Sequence, residues 1–269
     1  MCLIGLMLGF CGKADTKAAA VGVYELSEEK KNTAYDVTGD GVADTVKFER
    51  IELDENYFQG FKMLVNDEVV YETDEMFCVI EPYFIQTKGH GYFYFNICVD
   101  NIDGPRVIYE YVDGELEERM DFSDFTTGVF YHDTIQNIVA RNNQIDLEVK
   151  GASEMLADTT MKLSVKVNSN GTLSLKSKVA KVTYSNRRYN ENTYKEYTSK
   201  YLVAAKSIKV YKSATGSKKA FTVKKGTKLK ITKVSLQGKK TRYYCVTTSG
   251  KKGWMTSKYG LFKELYYVG

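Results

Sequence analysis

This sequence lacks the residues from which most active sites are built. Its 269 residues include two histidines, His90 and His132, and a single tryptophan. It contains no His-Glu-x-x-His zinc motif, no Gly-x-Ser-x-Gly nucleophile motif, no Walker phosphate loop and no paired-cysteine metal spacing. These absences predict a binding or structural protein, and we expect no enzymatic activity.

Proline is also scarce, with two residues, and no apolar run is long enough to cross a membrane. Tyrosine and phenylalanine, in contrast, contribute 21 and 13 residues, and glycine and asparagine separate short apolar runs. This composition is too aromatic for a disordered chain and is typical of globular all-β proteins. The length gives room for one large domain or two modest ones.

The first residues predict a secretory leader. Residues 2–10 form an apolar run too short to span a membrane, and Ala18-Ala19-Ala20 is a small-residue site of the kind that signal peptidase cuts. We therefore expect a signal peptide over residues 1–20, an extracellular location and no transmembrane segment in the mature chain. Lipidation of Cys11 is the alternative, although Phe10 is bulky where lipoprotein signals have a small residue.

Cleavage of this leader would leave three cysteines, an odd number that does not form a disulfide framework. Cys78 and Cys98 lie in strand-like apolar runs, which favours buried small side chains. A Cys78–Cys98 bridge is the alternative in an exported protein.

The net charge of +4 hides a division of charge along the chain. Residues 21–150 contain 28 acidic and 10 basic side chains, whereas residues 151–269 contain 5 acidic and 26 basic ones, giving net charges of −18 and +21. Such asymmetry indicates two modules with different partners, or halves that attract each other through an interdomain charge contact. Nucleic-acid binding is not expected, because the predicted leader exports these lysines.

The acidic module, residues 21–183, shows many short strand-like runs separated by turn residues. The clearest hairpin joins Tyr109–Val112 to Glu115–Glu118 through Asp113-Gly114, since this dipeptide adopts the positive φ angles of a two-residue turn. The spacing of the runs predicts a β-sandwich or a partial β-propeller rather than βαβ units.

A nine-residue loop is the sharpest chemical pattern in this module. Its three carboxylates would repel one another unless a hard cation such as calcium takes their oxygens as ligands, with a backbone carbonyl as a further ligand. The expected calcium ligands are Asp36, Thr38, Asp40, Asp44 and the carbonyl of Val42. An ordinary Asp/Gly turn is the alternative. An EF-hand is excluded, because its twelfth position requires glutamate and Lys47 stands there.

The segment after the loop, Thr45–Ile51, alternates as a half-buried strand does. A ligand loop that runs directly into a strand resembles the calcium loops of FG-GAP/VCBS repeats, which occur in integrin-type β-propellers and in many bacterial surface proteins. The resemblance covers one copy and implies calcium binding. It departs at Thr38, where the family usually has Asp or Asn.

Residues 184–199 are polar and lack a clear period, which predicts a linker. Residues 200–269 then resemble the bacterial SH3-like (SH3b) family over about 202–262. The shared landmarks are the turn Lys225-Gly226-Thr227, the strand that begins Tyr243-Tyr244, and Gly253-Trp254 followed by Tyr259. The resemblance implies a small C-terminal β-barrel.

Members of this family usually hold cell-wall polymers, so the resemblance implies peptidoglycan or another wall polymer as the partner. Aromatic faces suit sugar rings, and lysines suit phosphate-bearing polymers. The expected ligand-binding residues are Tyr211, Tyr243, Trp254 and Tyr259. Alternation places Tyr243 and Val246 on opposite faces, so Tyr243 faces solvent if Val246 lies in the core. The alternative is that the aromatic side chains fill the core, which is the preferred interpretation for Tyr244.

These patterns predict an exported, non-enzymatic cell-envelope protein. Its C-terminal module would bind the cell wall, and calcium would stabilise its acidic module. One alternative is a cell-wall hydrolase with a carboxylate site in the acidic module, targeted by the SH3-like module. Another is that the basic module is a structural partner, docked on the acidic half by charge.

Overall fold

The described part of the chain is all-β, as the sequence predicts. The computed structural model describes residues 20–28, 32–99, 102–103, 106–130, 132–185, 187–190, 195–236 and 241–265. Within these residues it contains 23 strands and one short helix, and no helix long and apolar enough to span a membrane. The predicted signal peptide apart from its last residue, including Cys11, and parts of the predicted linker lie outside the described residues.

The described residues up to 130 form ten strands and the helix. They are β1 (Gly22–Glu25), β2 (Asn32–Tyr35), β3 (Asp44–Glu52), β4 (Phe58–Val65), β5 (Glu68–Thr73), β6 (Val79–Gln86), β7 (Gly91–Val99), β8 (Ile102–Asp103), β9 (Val107–Val112), β10 (Glu115–Asp121) and α1 (Ser123–Thr126). Strands β2-β3-β4-β5 form a four-stranded sheet, which we call the outer sheet. Strands β1-β6-β7-β9-β10, with β8 paired to β7, form the middle sheet.

The remaining thirteen described strands follow residue 131. They are β11 (His132–Arg141), β12 (Gln144–Ser153), β13 (Ala157–Val167), β14 (Leu173–Leu175), β15 (Val179–Tyr184), β16 (Arg187–Asn190), β17 (Lys195–Thr198), β18 (Leu202–Val203), β19 (Ile208–Tyr211), β20 (Lys219–Val223), β21 (Lys228–Ser235), β22 (Arg242–Thr247) and β23 (Lys252–Thr256). Eleven of them form the long sheet, in the order β11-β12-β13-β15-β21-β22-β23-β19-β20, with β14 on β13 and β18 on β21. Strands β16 and β17 pair with each other.

The C-terminal strands continue the long sheet instead of closing on themselves. Among the described residues all strand pairs are antiparallel, and no sheet closes into a barrel. The predicted SH3-like barrel is therefore not formed as a closed structure by these residues. The all-β class is confirmed.

The middle sheet is buried on both faces, which explains the unbroken aromatic run in β7. Tyr92 and Tyr94 pack with the long sheet in one hydrophobic core, whereas Phe93 and Phe95 pack with the outer sheet in a second core. Successive side chains of a strand point to opposite faces, so a strand covered on both sides is apolar at every position. The three sheets therefore stack in the order outer, middle, long.

The hairpin at Asp113-Gly114 is confirmed. Strands β9 and β10 pair antiparallel with Val112 opposite Glu115, and the two turn residues have φ angles of 50° and 100°. Aspartate and glycine tolerate such positive φ angles better than most residues do, which is why the dipeptide predicts the turn.

The two predicted modules are joined by strand pairing. Strand β15, which ends the predicted acidic module, pairs with β21 of the basic module. The paired residues are Val179 and Ser235, Ala180 and Val234, and Lys181 and Lys233. The amide of Leu236 also donates to the carbonyl of Lys178 at 2.9 Å. The sheet thus continues past the predicted linker, and two lysines face each other there, so charge attraction does not hold this edge.

A buried tyrosine connects the same two halves. Tyr243 of β22 is 0% exposed, and its hydroxyl oxygen lies 2.9 Å from Ser153 Oγ and 3.5 Å from the carbonyl oxygen of Val129. Leaving a buried hydroxyl unpaired costs about 1–3 kcal/mol, so these partners fix the position of the ring. The prediction that Tyr243 faces solvent is wrong, because Cys245 on the same face is buried and Val246 on the other face is partly exposed.

We expect Tyr243→Phe to destabilise the chain by about 1–3 kcal/mol, since Ser153 loses its buried partner. Burial raises the pKa of Tyr243 from 10.0 to about 12. The stability contributed by the neutral phenol is therefore present below pH 10 and is lost as the pH rises towards 12. Urea unfolding of parent and variant should show a difference that shrinks over this range. Tyr244→Phe is the control, and a Tyr243→Phe protein as stable as the parent at neutral pH would contradict the assignment.

Candidate functional site

One face of the long sheet carries three aromatic side chains on adjacent strands. Tyr244 of β22 lies opposite Trp254 of β23, and Trp254 lies opposite Tyr211 of β19. Directly opposed residues of an antiparallel pair share one face, with Cβ atoms about 4.5–5.5 Å apart. We call Tyr211, Trp254 and Tyr244 the aromatic row, and all three side chains are partly exposed.

Two cations lie against the rings of the aromatic row. Lys233, which is paired with Tyr244, places Nζ 5.6 Å from the centroid of that ring. The guanidinium of Arg242 lies 4.1 Å from the centroid of Tyr211. The rings of Tyr244 and Trp254 meet edge to face, with centroids 5.2 Å apart. Cation–π and edge-to-face contacts are both favourable, so the rings hold one another in fixed orientations.

Gly253 allows the strands beneath the aromatic row to approach each other. A Cβ atom at this position would lie 2.6 Å from Val210 Cγ1 and 2.7 Å from the carbonyl oxygen of Tyr211. Such distances are far shorter than van der Waals contact, so only glycine lets β23 lie this close to β19. Gly253 therefore places Trp254 beside Tyr211, which explains why the sequence has glycine directly before tryptophan.

Cations dominate the module that carries the aromatic row. Between residues 200 and 265 the sequence contains 18 lysines and arginines and one acidic residue, Glu264. Ammonium and guanidinium groups bind phosphate and carboxylate oxygens, and aromatic rings stack on the apolar faces of sugars. The aromatic row with Lys233 and Arg242 is therefore chemically suited to a polymer that carries both sugar rings and anionic groups.

The four predicted ligand-binding aromatic residues lie in three different environments. Tyr211 and Trp254 belong to the aromatic row, whereas Tyr243 is buried in the core. Tyr259 is 65% exposed in the turn that follows β23, outside the aromatic row. Tyr244, assigned to the core from the sequence, is the member of the row that sequence analysis missed. Alternation separates the two faces of β22 but does not say which one meets the core.

No family model, curated protein or solved structure matches this chain. The resemblances to the SH3-like and FG-GAP/VCBS families therefore rest on the residues quoted above and stay predictions. What the site binds has to be inferred from its own geometry and chemistry.

The predicted calcium loop is held together by its own backbone amides. Asp44 is buried, and its Oδ2 accepts hydrogen bonds from the amides of Val37 at 2.6 Å and Thr38 at 2.8 Å. Its Oδ1 accepts one from Asn66 Nδ2 at 2.7 Å. The other two carboxylates also accept from loop amides, Asp36 from Gly39 and Gly41 and Asp40 from Val42.

In this arrangement the three carboxylates of the predicted calcium ligands are occupied by hydrogen bonds from loop amides and from Asn66. Among the described residues no group of three or more His, Cys, Asp or Glu side chains is placed to hold a metal. Calcium takes about six to eight oxygen ligands, and both Thr38 and Val42 of the predicted set are exposed. Calcium binding by this loop stays a prediction.

We expect Asp44→Ala to destabilise the protein by about 1–3 kcal/mol in chelator, because it removes the charged acceptor of the Val37 and Thr38 amides and of Asn66 Nδ2. Asp40→Ala is the control, since Asp40 is exposed and its loss should cost no more than about 0.5 kcal/mol. Urea unfolding in chelator and in calcium measures both. A calcium-dependent gain in stability that Asp40→Ala abolishes would establish the predicted ion site, whereas an Asp44→Ala protein as stable as the parent in chelator would contradict the role of Asp44 in holding the loop.

Two carboxylates, Asp146 and Glu148, line a cleft of about 490 Å³ on the N-terminal part of the long sheet, and the hydrolase alternative requires a carboxylate site of this kind. Burial alone would raise the pKa of Asp146, but hydrogen bonds from Arg141 Nε at 2.8 Å and Ser164 Oγ at 2.6 Å hold it below its ordinary value. Glu148 forms an ion pair with Lys162 at 2.7 Å. A glycosidase acid needs a raised pKa, which the lowered pKa of Asp146 does not provide.

His90 belongs to a network of polar contacts on the middle sheet. Its Nδ1 lies 3.1 Å from Glu110 Oε1, and Arg119 Nε donates to Glu110 Oε2 at 2.7 Å. Glu110 is only 13% exposed, so these contacts tie the turn before β7 to strands β9 and β10. The side chain of His132 lies outside the described residues.

The three described cysteines are free thiols. Cys78 and Cys98 are half-buried neighbours, since both the amide and the thiol of Cys78 donate to the carbonyl of Cys98, at 3.0 and 3.1 Å. Burial raises the pKa of the Cys245 thiol to about 11. Cys245 therefore behaves as a small apolar core residue.

Proposed function

We propose that this chain is an exported, non-enzymatic protein of the cell envelope whose C-terminal strands bind an anionic cell-wall polymer. The aromatic row with Lys233 and Arg242 is the observation that carries the proposal. Its rings offer stacking surfaces for sugars, and the two cations lie close enough to meet phosphate or carboxylate groups on the same polymer.

The site is built on rigid elements, which favours binding. Tyr211, Trp254 and Tyr244 each belong to a paired strand. The guanidinium of Arg242 is fixed by two hydrogen bonds, which it donates to the carbonyls of Ser213 at 2.9 Å and Gly216 at 2.6 Å. A preorganised surface loses little conformational entropy when a ligand binds.

The charge division supports a defined orientation on the wall. A polymer with many negative groups is attracted to the module of residues 200–269 and repelled by the outer and middle sheets, which carry most of the −18 net charge of residues 21–150. The basic face of the long sheet would therefore meet the polymer, while the acidic outer and middle sheets would point away from it. In this arrangement the acidic half remains accessible to other molecules.

We expect the protein to sediment with purified peptidoglycan-containing wall and to bind about two- to twelvefold more weakly after Tyr244→Ala, as the loss of about 0.5–1.5 kcal/mol of ring contact implies. Tyr244→Phe keeps the ring and should bind as the parent does. Binding through charge fades as salt rises, because the screening length is about 8 Å at physiological ionic strength. Binding through the rings should remain in high salt.

The same sedimentation is repeated with walls from which acid has removed the phosphate polymers. Loss of binding to these walls would identify the phosphate polymers as the ligand. A Tyr244→Ala protein that is folded, as its urea midpoint reports, and still binds in high salt as the parent does would overturn the role of the aromatic row. Complete release of the parent by moderate salt would show that the lysines alone attract the wall.

A further inference from the structure

The aromatic row is one end of a longer line of side chains that crosses the whole long sheet. Each member of the line is the direct partner of the next one in the neighbouring strand, so all of them share one face. From β11 to β19 the members are Asn137, Glu148, Lys162, Lys181, Lys233, Tyr244, Trp254 and Tyr211. Seven strand spacings of ~4.8 Å give this line a length of roughly 34 Å.

Three lysines lie side by side in the middle of the line. Lys181 of β15 is opposed by Lys162 of β13 on one side and by Lys233 of β21 on the other. Lys162 is neutralised by Glu148 at 2.7 Å, whereas Lys181 makes no ion pair among the described residues. Like charges directly opposite one another in a sheet are destabilising. An anionic group between Lys181 and Lys233 would remove this repulsion.

The cleft of about 490 Å³ lies at the N-terminal end of the same line. Asn137, Glu148, Lys162 and Lys181 all line it, together with the hydroxyls of Ser164 and Ser177. Its two carboxylates do not repel an anion strongly, because Asp146 is paired with Arg141 and Glu148 with Lys162. The cleft therefore offers hydroxyl, amide and ammonium groups, which suit the hydroxyl and acidic groups of a sugar chain.

We propose that one linear anionic sugar polymer binds along this whole line, from the aromatic row across the strand junction into the cleft of the acidic half. This inference rests on the proposed function and adds that both halves contribute to one binding surface. The sugars stack on Tyr211, Trp254 and Tyr244, and an anionic group lies between Lys181 and Lys233. The length of the line and its central cations favour an extended chain over a single sugar or a short peptide.

The test uses the full chain and oligogalacturonates, linear sugar chains with one carboxylate on each sugar. Tyr211 and Lys181 are roughly 20 Å apart, at ~4.8 Å per strand. The short chain is too short to span this distance, and the long chain is longer than the whole line. The parent should bind the long chain more tightly than the short one. Lys181→Ala should weaken binding of the long chain by about two- to fivefold, the range of an exposed ion pair, and leave the short chain unaffected.

Lys88→Ala is the matched control, because it removes an exposed lysine of the acidic half that lies off the line. Lys181→Ala should also raise the melting temperature slightly without ligand, since it removes the repulsion from Lys233. Comparing the affinity for the long oligogalacturonate with that for a glycerol-phosphate polymer of the same length shows whether the surface prefers carboxylate or phosphate.

The two proposals fail in different ways. If Lys181→Ala binds the long chain as the parent does while Tyr244→Ala loses both chains, the aromatic row stands and the extended surface is overturned. If Tyr244→Ala binds both chains as the parent does, the proposed function fails as well. A single-stranded oligonucleotide that binds more tightly than a sugar chain of equal charge would overturn the assignment of the polymer as a sugar.

Discussion

The antiparallel pairing of β15 with β21 is the constraint on which the rest of this structure depends. Without it each strand would expose a row of unpaired amide and carbonyl groups at a sheet edge, which proteins avoid. The pairing uses backbone groups and the apolar pair Ala180 and Val234. It therefore joins the two predicted modules without relying on charge, and salt should have little effect on it.

Tyr243 determines which face of β22 meets solvent. Because side chains alternate along a strand, a slip of one residue would move every side chain to the other face. The hydroxyl of Tyr243 is placed beside Ser153, a residue of the acidic half, and this contact fixes the register of β22. Tyr244 is then directed outward beside Trp254. A buried contact between the halves thus positions a surface that lies on the opposite side of the sheet.

The sequence predicted the parts of the fold that depend on local patterns. The strand–turn–strand of Asp113-Gly114 and the strand after the Asp36–Asp44 loop follow from turn chemistry and alternation, which act over a few residues. The pairing of β15 with β21 joins residues more than 50 positions apart and leaves no periodic trace in the sequence. That is why a linker and a separate barrel were predicted where the sheet continues.

The candidate site, like the fold, was predicted from the sequence only in part. Tyr211 and Trp254 were recognised from their residue types, whereas the roles of Tyr243 and Tyr244 were exchanged. Their neighbours Cys245 and Val246 are both apolar, so the sequence of β22 does not distinguish its core face from its solvent face. The partners that decide between them, Ser153 and Val129, lie far away in the chain. The neighbouring positions of Lys162, Lys181 and Lys233 could not be predicted for the same reason, since they follow only from the register of strands that are distant in the sequence.

Hydrogen exchange at the junction tests most directly whether the two halves form one sheet. Peptides covering β15 and β21 should exchange as slowly as those covering β12 and β13, and they should become exposed only in the same cooperative unfolding event. Fast exchange in β15 together with slow exchange in β22 and β23 would contradict the account. It would show two separate modules, with the aromatic row on one and the cleft on the other.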